Sequence, residues 1–431
     1  MANMYSQEDL WKRVNFIEME ITKACLRGVD MVPSAVDMVP SAVDRVYINS
    51  LSTELFRLSE GRNEVRFDKS GRPSIMVNFF CDEKARLDYL SGSGTYFTAS
   101  VANGVHPAFI RNGSPILGFR LGKYKDVRVN DRNYHMSLYG LPPAWGSGGV
   151  TESYNGLASA CDSLNAGSYS EGDQVGNITY SIFRYLAMLS VTEAFHQRGA
   201  DYYGYAHNAT GEKGSPCGYK YNGGYVHVLN GSGPLAWRHD GSPFGVYGLI
   251  GCTREICHGF ELDAGKLLLI PDNDALIMTA SELADTSTKF KAIGTDGSLV
   301  DRSTSENVFY YDYAADPGDS GSKTFKLVTA LSHQQVSGNP YGAVSLADLT
   351  KDDGISSVPM ILRLMGFFPL LTGTPRGTVY MRNTAGLKTC GWLGSAWDGG
   401  SNGGFSYLNA NDHGFSNTGN RGSGRVASEI R

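Results

Sequence analysis

The chain lacks any apolar run long enough to cross a bilayer. The longest run, residues 359–371, is interrupted by Arg363 and falls short of the roughly 20 residues that a membrane-spanning helix needs. The amino terminus has no apolar segment typical of a secretion signal, and acidic residues precede its basic ones. We therefore expect no membrane partner and synthesis in the cytoplasm.

Cysteine is sparse and irregularly spaced. The odd number of seven cysteines indicates a chain that folds in a reducing cytosol. Cys252 and Cys257 lie five apart without a second pair, which does not match a zinc motif, and we expect buried free thiols. Charges are mixed along the chain, and a net charge of −5 leaves no basic patch for nucleic acid.

Familiar catalytic motifs are also lacking. None of the nine histidines stands in H-E-x-x-H, and no glycine-rich stretch matches a phosphate-binding loop. A lone G-D-S-G at residues 318–321 is similar to the nucleophile segment of trypsin-like proteases, but its turn-rich surroundings predict a surface loop. The tripeptides of calcium-dependent sugar binding, E-P-N and Q-P-D, do not occur. We expect no catalytic residue, metal or cofactor.

The first clear pattern is a helix over residues 6–26. Ser6 can cap it, and Glu8 and Asp9 lie in its first turn. Its apolar residues are spaced 4, 3, 4, 3 along the chain, namely Leu10, Val14, Ile17, Ile21 and Ala24. This spacing fits either a short coiled-coil seam for oligomerisation or attachment, or one amphipathic helix packed on its own domain.

Residues 30–36 and 37–43 repeat the heptapeptide D-M-V-P-S-A-V. Each copy carries a proline that blocks helix propagation, which predicts an extended linker or an edge element. Two copies are too few for a solenoid. Residues 45–100 mix strand-like runs with turn signals and indicate no function. We assign residues 1–100 to a small amino-terminal region.

The middle of the chain mixes predicted helix and strand. Residues 177–198 are apolar nearly all round and predict a buried helix, and residues 266–270 predict a strand. Residues 285–355 are rich in Gly, Ser, Asp and Thr and predict an insertion, with strand-like patches at 308–313 and 324–331. The high glycine content, 53 of 431, favours a loop-rich fold that contains β-strands.

Residues 393–428 have an unusual alphabet. They contain no Lys, Glu, Gln or Met, and Gly, Ser and Asn supply 20 of the 36 residues. The codons of nearly all the other polar and aromatic residues in the segment can arise from the asparagine codon AAC by changes in its first two bases. The codon of Trp397 cannot arise in this way. Because aromatic residues recur here and two strand-like runs precede it, at 378–383 and 387–393, the segment predicts an ordered variable surface on a fixed frame.

This segment resembles the variable region of proteins diversified by diversity-generating retroelements. These are phage tropism determinants and related bacterial surface proteins with a C-type-lectin fold. The fixed frame of that family is matched by Gly394, Trp397, Gly400, Gly404, the L-N-A-N run at 408–411, and Gly424 with Arg425. Ala410 stands where the family has Leu, and Ser406 stands where it has Phe.

Earlier segments carry the same resemblance. Residues 106–109 with 117–124 resemble the first strand of the lectin-type domain, and residues 156–164 and 177–198 resemble its two helices. Residues 248–262 stand where this family and the formylglycine-generating-enzyme-like proteins have G-N-V-W-E-W. The residues that match there are Gly251, Glu255 and Gly259, and those that depart are Cys252, Arg254 and Ile256.

The resemblance implies an α+β protein with a C-type-lectin-like domain, of the formylglycine-generating-enzyme-like variant, over residues 101–431. It implies a receptor-binding protein at the tip or fibre of a phage tail, with a trimer favoured. The expected partners are a bacterial cell-surface receptor, protein or glycan, and other tail proteins. Two alternatives stay open: a variable protein displayed on a bacterial surface, and a formylglycine-generating-type oxidase. That oxidase needs two cysteines late in the chain, and only Cys390 lies there.

The resemblance also implies a site within residues 393–426. Fifteen residues are predicted to vary and to contact the ligand: Asp398, Ser401, Asn402, Phe405, Ser406, Tyr407, Asn409, Asn411, Asp412, His413, Phe415, Ser416, Asn417, Asn420 and Arg421. Six are predicted to be scaffold: Trp397, Gly400, Gly404, Leu408, Gly424 and Arg425. Aromatic and Arg side chains dominate binding hot spots, which makes Phe405, Tyr407, His413, Phe415 and Arg421 the expected anchors. Trp397, Leu408 and Arg425 are expected to be buried.

Overall fold

The computed structural model describes residues 6–31, 38–90, 104–221, 224–370 and 373–430. Within these ranges the chain forms six α-helices and 26 strands, which confirms the α+β class. The helices are α1 (Gln7–Met31), α2 (Ala42–Leu58), α3 (Leu87–Leu90), α4 (Tyr154–Asn165), α5 (Tyr180–Thr192) and α6 (Met360–Leu364).

The strands are short, and most lie in two sheets. The first half of the chain contains β1 (Asn63–Phe67), β2 (Pro73–Phe80), β3 (Ile110–Arg111), β4 (Ser114–Pro115), β5 (Gly118–Gly122), β6 (Val127–Val129), β7 (Arg132–Tyr134), β8 (Gly176–Asn177), β9 (Tyr205–Ala206), β10 (Ala209–Lys213), β11 (Pro216–Tyr221) and β12 (Gly224–Val228). The second half contains β13 (Arg254–Asp263), β14 (Lys266–Leu269), β15 (Lys291–Ile293), β16 (Leu299–Asp301), β17 (Tyr310–Tyr313), β18 (Ser320–Lys323), β19 (Phe325–Val328), β20 (Asn339–Ser345), β21 (Thr350–Lys351), β22 (Thr378–Met381), β23 (Lys388–Leu393), β24 (Leu408–Ala410), β25 (Gly422–Ser423) and β26 (Val426–Ile430).

Helix α1 packs on its own chain. It begins after Ser6, as predicted, and the Ser6 hydroxyl accepts a hydrogen bond from the Asp9 N–H at 3.1 Å. The seam residues Val14, Ile17, Ile21 and Ala24 are fully buried in a cluster that includes residues of α2, β1 and β2. Of the two alternatives, the structure therefore shows the amphipathic helix packed on its own domain, and the seam is not available to a second chain.

The second copy of the repeated heptapeptide leads into a helix. Ser41 caps α2, because its hydroxyl accepts a hydrogen bond from the Asp44 N–H at 3.1 Å. The last two residues of the copy, 42 and 43, are the first two residues of α2. Only the start of the copy could therefore form the predicted extended linker. Residues 32–37, which join the two copies, lie outside the described part of the chain.

One antiparallel sheet brings distant parts of the chain together. Its strand order is β1-β2-β5-β26-β8, with Val77 opposite Leu121 and Leu121 opposite Ala427. Strands from the amino-terminal region thus lie beside the strand at the end of the chain. The sheet continues across residue 100, where the sequence predicted a boundary between two regions.

A larger sheet of 13 strands is arranged around β13. This strand pairs with β14 on one side and with β23 on the other. Residues 285–355 contribute β15 to β21 to it, including strands where the sequence predicted them, at Tyr310–Tyr313 and Phe325–Val328. Tyr311 and Leu327 are buried in the main core, so the strands of this segment extend the sheet.

Helix α5 lies between the two sheets. Thr179 caps it, and all its residues from 180 to 191 are buried, as its apolar sequence predicts. Tyr185 contacts the Phe119 ring of the five-stranded sheet at 6.1 Å between centroids, and Tyr180 stacks on Phe260 of β13 at 4.9 Å. This arrangement places the core directly beneath the terminal segment. No described helix is long and apolar enough to cross a membrane.

Candidate ligand-binding surface

Two loops carry the predicted site. Loop A, residues 394–407, connects β23 to β24, and loop B, residues 411–421, connects β24 to β25. Strand β23 lies between β13 and β24, and β25 runs parallel to the start of β13. Both loops therefore extend from the central strands of the large sheet, where a rigid base supports them.

Main-chain hydrogen bonds hold loop A in place. The Trp397 N–H donates to the Cys252 carbonyl at 3.1 Å, and the Trp397 carbonyl accepts from the Tyr203 N–H at 2.8 Å. The Gly400 N–H donates to the Asp201 carbonyl at 2.9 Å. The path of loop A is thus fixed by bonds that do not depend on its side chains.

Loop B is held in the same way. The Phe415 carbonyl accepts from the Asn155 N–H at 2.9 Å, and the Gly419 carbonyl accepts from the Gly146 N–H at 2.9 Å. At its end, the Arg421 carbonyl accepts from the Arg254 N–H at 2.6 Å. Side chains on its outer face can change without breaking these contacts.

The predicted scaffold side chains lie beneath the loops. Trp397, Leu408 and Arg425 are all buried, as the sequence predicts. Arg425 forms an ion pair with Glu255 at 2.7 Å and donates to the carbonyls of Gly122 and Tyr247, each at 2.9 Å. It therefore links the end of the chain to both sheets.

Three scaffold glycines occupy positions that disfavour a side chain. A Cβ on Gly404 would lie 2.1 Å from the Arg376 carbonyl oxygen, and one on Gly424 would lie 2.5 Å from the Asp126 carboxylate. Gly400 has a φ of +49°, a region that L-residues rarely adopt. These positions require glycine because of close approach or backbone conformation.

Six of the 15 predicted contact residues are buried, contrary to the prediction: Phe405, Ser406, Tyr407, Asn409, Asn411 and Phe415. Phe405 packs on the Phe183 ring of α5 at 5.8 Å, and Phe415 lies 4.4 Å from the Tyr154 ring. Three of the five expected anchors are thus core residues, because large aromatic rings gain more free energy by burial than by exposure. Asn409 is held within β24, between β22 and β23.

The other nine predicted residues reach the surface. Five are exposed: Ser401, Asn402, Asp412, Ser416 and Asn417. Four are half-buried: Asp398, His413, Asn420 and Arg421. We call these nine residues the outer set. Asp398 and Arg421 join the two loops through an ion pair of 2.6 Å, and the Arg421 guanidinium lies 5.3 Å from the centre of the Trp397 ring.

His413 is the one histidine of the outer set. Its ring stacks on Trp392 with centroids 3.7 Å apart, and its Nε2 lies 2.8 Å from the Arg254 guanidinium. Because a guanidinium can only donate, Nε2 must accept, and the imidazole is neutral. Burial, together with Arg254 and Arg421, lowers the pKa of His413 to about 3.

Sequence reasoning missed two tyrosines beside loop A. Tyr202 and Tyr221 keep 42% and 43% of their surface exposed, which is rare for aromatic residues in the described chain. Tyr221 lies 5.2 Å from the Trp397 ring, and a Cβ on Gly400 would lie 3.7 Å from Tyr202. The sequence did carry a signal, because tyrosine recurs at short intervals between residues 202 and 225.

The seven cysteines are free thiols in the described part of the chain. No group of three His, Cys, Asp or Glu residues there could hold a metal ion. Cys252 and Cys390 are buried, and burial raises their pKa values to about 11 and about 12.

One buried cluster has the order of a cysteine-hydrolase triad. Cys161 Sγ lies 3.7 Å from His135 Nε2, and His135 Nδ1 lies 2.6 Å from Asp126. His135 Nε2 is also 3.1 Å from the Gly176 carbonyl, and His135 and Asp126 are fully buried. Burial acts to lower the pKa of His135, but Asp126 and Cys161 raise it well above its usual value. The imidazolium is thus held by acceptors on both sides and links α4 to β8 of the five-stranded sheet.

A scan against protein-family models finds none that matches the chain, and a search of curated proteins finds no match. The function therefore has to be argued from the geometry of the site. That geometry combines a main-chain-anchored pair of loops, a buried scaffold, and an outer set of mostly short polar side chains.

Proposed function

We propose that the chain is a ligand-binding protein whose loops A and B form a variable recognition surface. The observation that carries this proposal is the separation of roles within the terminal segment. Main-chain bonds and buried side chains define the path of the loops. The contacts of the outer set, such as the Asp398–Arg421 ion pair and the bond from Asn417 to the Asp412 carbonyl, lie at the surface or are half-buried. Placing recognition on loops above a rigid scaffold allows the specificity to change while the fold is kept.

We also propose the C-type-lectin-like fold for the domain. Three features support it. The predicted first strand, β5, pairs with the last strand, β26, so the domain closes on itself. Both predicted helices, α4 and α5, form. The variable loops follow β23, which pairs with β13. Strand β13 contains Glu255 and Gly259, two of the residues that match the family in the segment 248–262.

Recognition would combine fixed and variable groups. Tyr202 and Tyr221 offer exposed rings, which bury a large area at a low entropy cost, as in antibody paratopes. The outer set adds adaptable hydrogen-bonding groups from Ser, Asn and Asp around the half-buried Arg421. We infer that the tyrosines give general affinity and that the outer set decides which ligand is bound.

A bacterial surface receptor is the proposed ligand, and the tail of a phage virion is the proposed location. Several copies that contact one cell would raise the overall affinity by effective concentration. A trimer is proposed because the resemblance to the phage tropism determinants favours one. Because the α1 seam is buried in its own chain, such a trimer would have to use another surface.

The DNA downstream of the gene tests the diversification. We expect a near-copy of the segment encoding residues 393–428, beside a reverse-transcriptase gene. In the codons of the outer set, the repeat should carry adenine at positions where the gene carries other bases. In the codons of the six buried residues, the repeat and the gene should be identical. A region without such a repeat would contradict the diversification. Neighbouring tail genes would distinguish a virion protein from a protein displayed on a bacterial surface.

A further inference from the structure

A cleft lies between β2, the end of α5 and the turn that contains His239. It has a volume of about 510 Å³, within the range of small-molecule sites. None of the residues that line it belongs to loops A and B. Its apolar walls are mostly aromatic and consist of Val77, Phe79, Phe80, Tyr185, Leu189 and Phe195.

The rings at the base of the cleft are fixed by their packing in the core. The Phe79 ring stacks on Phe119 with centroids 5.1 Å apart and meets the Tyr185 ring edge-on at 6.2 Å. The His239 imidazole lies 5.4 Å from Phe79 on the same measure. Because these rings are already in place, they favour a flat aromatic ligand that packs against them without rearrangement.

Two buried polar groups line the cleft without a partner in the described chain. Tyr185 and His239 keep only 2% and 9% of their surface exposed. Burial lowers the pKa of His239, so the imidazole is neutral. Its Nδ1 accepts a hydrogen bond from the Val246 N–H at 2.8 Å, which leaves the proton on Nε2. Neither this Nε2–H nor the Tyr185 hydroxyl makes a hydrogen bond within the described residues, and both therefore favour an oxygen atom of a ligand.

The charges that line the cleft disfavour an anion. Arg62 forms an ion pair with Asp240. Lys84 forms an ion pair with Glu193 at 2.8 Å. Asp82 also lines the cleft, where it accepts a hydrogen bond from the Lys84 N–H at 2.9 Å, and it forms no ion pair in the described structure. Three carboxylates thus face two cations, and both cations are paired.

We propose that this cleft binds an uncharged aromatic compound with hydroxyl groups, whose rings lie against Phe79 and whose oxygens bond to the His239 Nε2–H and the Tyr185 hydroxyl. An ammonium group does not fit, because it cannot accept from Nε2–H. The site shares no residue with the recognition surface of loops A and B, so either can be wrong without affecting the other. The protein would then have one fixed binding site in addition to the two loops.

Fluorescence titration of the full chain tests this proposal with naphthalene-2,7-diol, naphthalene and 2-naphthoate. The diol should bind. Naphthalene should bind about tenfold more weakly or less, because it makes no hydrogen bond, and 2-naphthoate should bind more weakly because it is an anion.

Two substitutions identify the site. Tyr185→Phe removes only the hydroxyl, and His239→Phe removes the Nε2–H but keeps a ring. Each should weaken binding of the diol by about threefold to tenfold, the value of one hydrogen bond. His239→Gln keeps an N–H donor and should bind the diol more tightly than His239→Phe does.

Tyr341→Phe is the matched control, because Tyr341 is half-buried in β20 and does not line the cleft. It should leave the affinity unchanged. Equal melting temperatures of the variants would show that each is folded. The proposal is overturned if the diol does not bind, if naphthalene or 2-naphthoate binds as tightly as the diol, or if Tyr185→Phe and His239→Phe both leave the affinity unchanged.

Discussion

At the scale of single residues, Arg425 shows how the end of the chain is fixed. Replacing it with Ala would leave the buried carbonyls of Gly122 and Tyr247 without this donor, whereas Glu255 would keep its ion pair with Lys125 at 2.5 Å. A buried acceptor left without its donor costs about 1–3 kcal/mol, and two carbonyls lose theirs, so we expect Arg425→Ala to lower the free energy of unfolding by about 2–6 kcal/mol. Arg425→Lys should lose less, because it keeps the charge but not the planar fork.

Urea denaturation measures this difference. The control is Arg421→Ala, which removes a pair with Asp398 that is partly open to solvent and should cost about 1 kcal/mol or less. If the two Ala variants were equally stable, the assignment of Arg425 to the scaffold would be wrong.

His413 provides a pH test at the same scale. Its pKa in the folded chain, about 3, lies below its ordinary value of 6.5. A lowered pKa means that the neutral ring contributes stability above pH 6.5 and that this contribution is lost as the pH falls from 6.5 towards 3. His413→Phe keeps the stacking on Trp392 and removes the titration, so its stability should fall less between pH 7 and pH 5.

Two measurements check this prediction: the free energies of unfolding at pH 7 and pH 5, and an NMR titration of the His413 ring. We expect its resonances to stay constant from pH 8 to pH 5 in the folded chain and to titrate in the urea-unfolded chain. A midpoint near pH 6.5 in the folded chain would show that Arg254 does not donate to Nε2.

At the scale of elements, loops A and B divide into an inner and an outer face. Phe405→Ala and Phe415→Ala remove buried rings and should each destabilise the chain by about 3–5 kcal/mol. The combined change Ser401→Tyr, Asn402→Ser and Asn417→Asp alters exposed positions and should shift the melting temperature by no more than about 3 °C, since surface substitutions each cost about 0.5 kcal/mol or less.

Differential scanning fluorimetry of the three variants decides this point. A triple variant that melts as early as Phe405→Ala would mean that the outer side chains hold the loops together. The loops would then be unable to vary freely, and the proposed recognition surface would lose its main support.

Several elements could be predicted from the sequence because their signals are local. The Ser6 cap and apolar spacing predicted α1, and the all-round apolar run predicted a buried α5, although α5 ends at Thr192 and not at residue 198. The burial of Phe405 and Phe415 could not be predicted in this way. It depends on Phe183 and Tyr154, which lie more than 200 residues earlier, and composition does not distinguish a core ring from a binding anchor.

At the scale of the whole molecule, non-local strand pairing decides the architecture. No pattern within residues 63–80 indicates that they join a sheet with residues 118–122 and 426–430. The same is true of residues 285–355, whose polar composition predicted an insertion although their strands extend the large sheet. The terminal loops are rigid because their anchors come from segments as distant as Gly146, Asp201 and Cys252.

Selection from a displayed library tests the central claim most directly. The nine codons of the outer set would be randomised to the amino acids that an AAC codon reaches, and the library would be selected against one purified bacterial surface protein. A control library would randomise nine exposed residues far from loops A and B. The account predicts specific binders from the first library only, with melting temperatures within a few degrees of the parent chain. Equal yields of binders from both libraries, or binders only among destabilised variants, would contradict it.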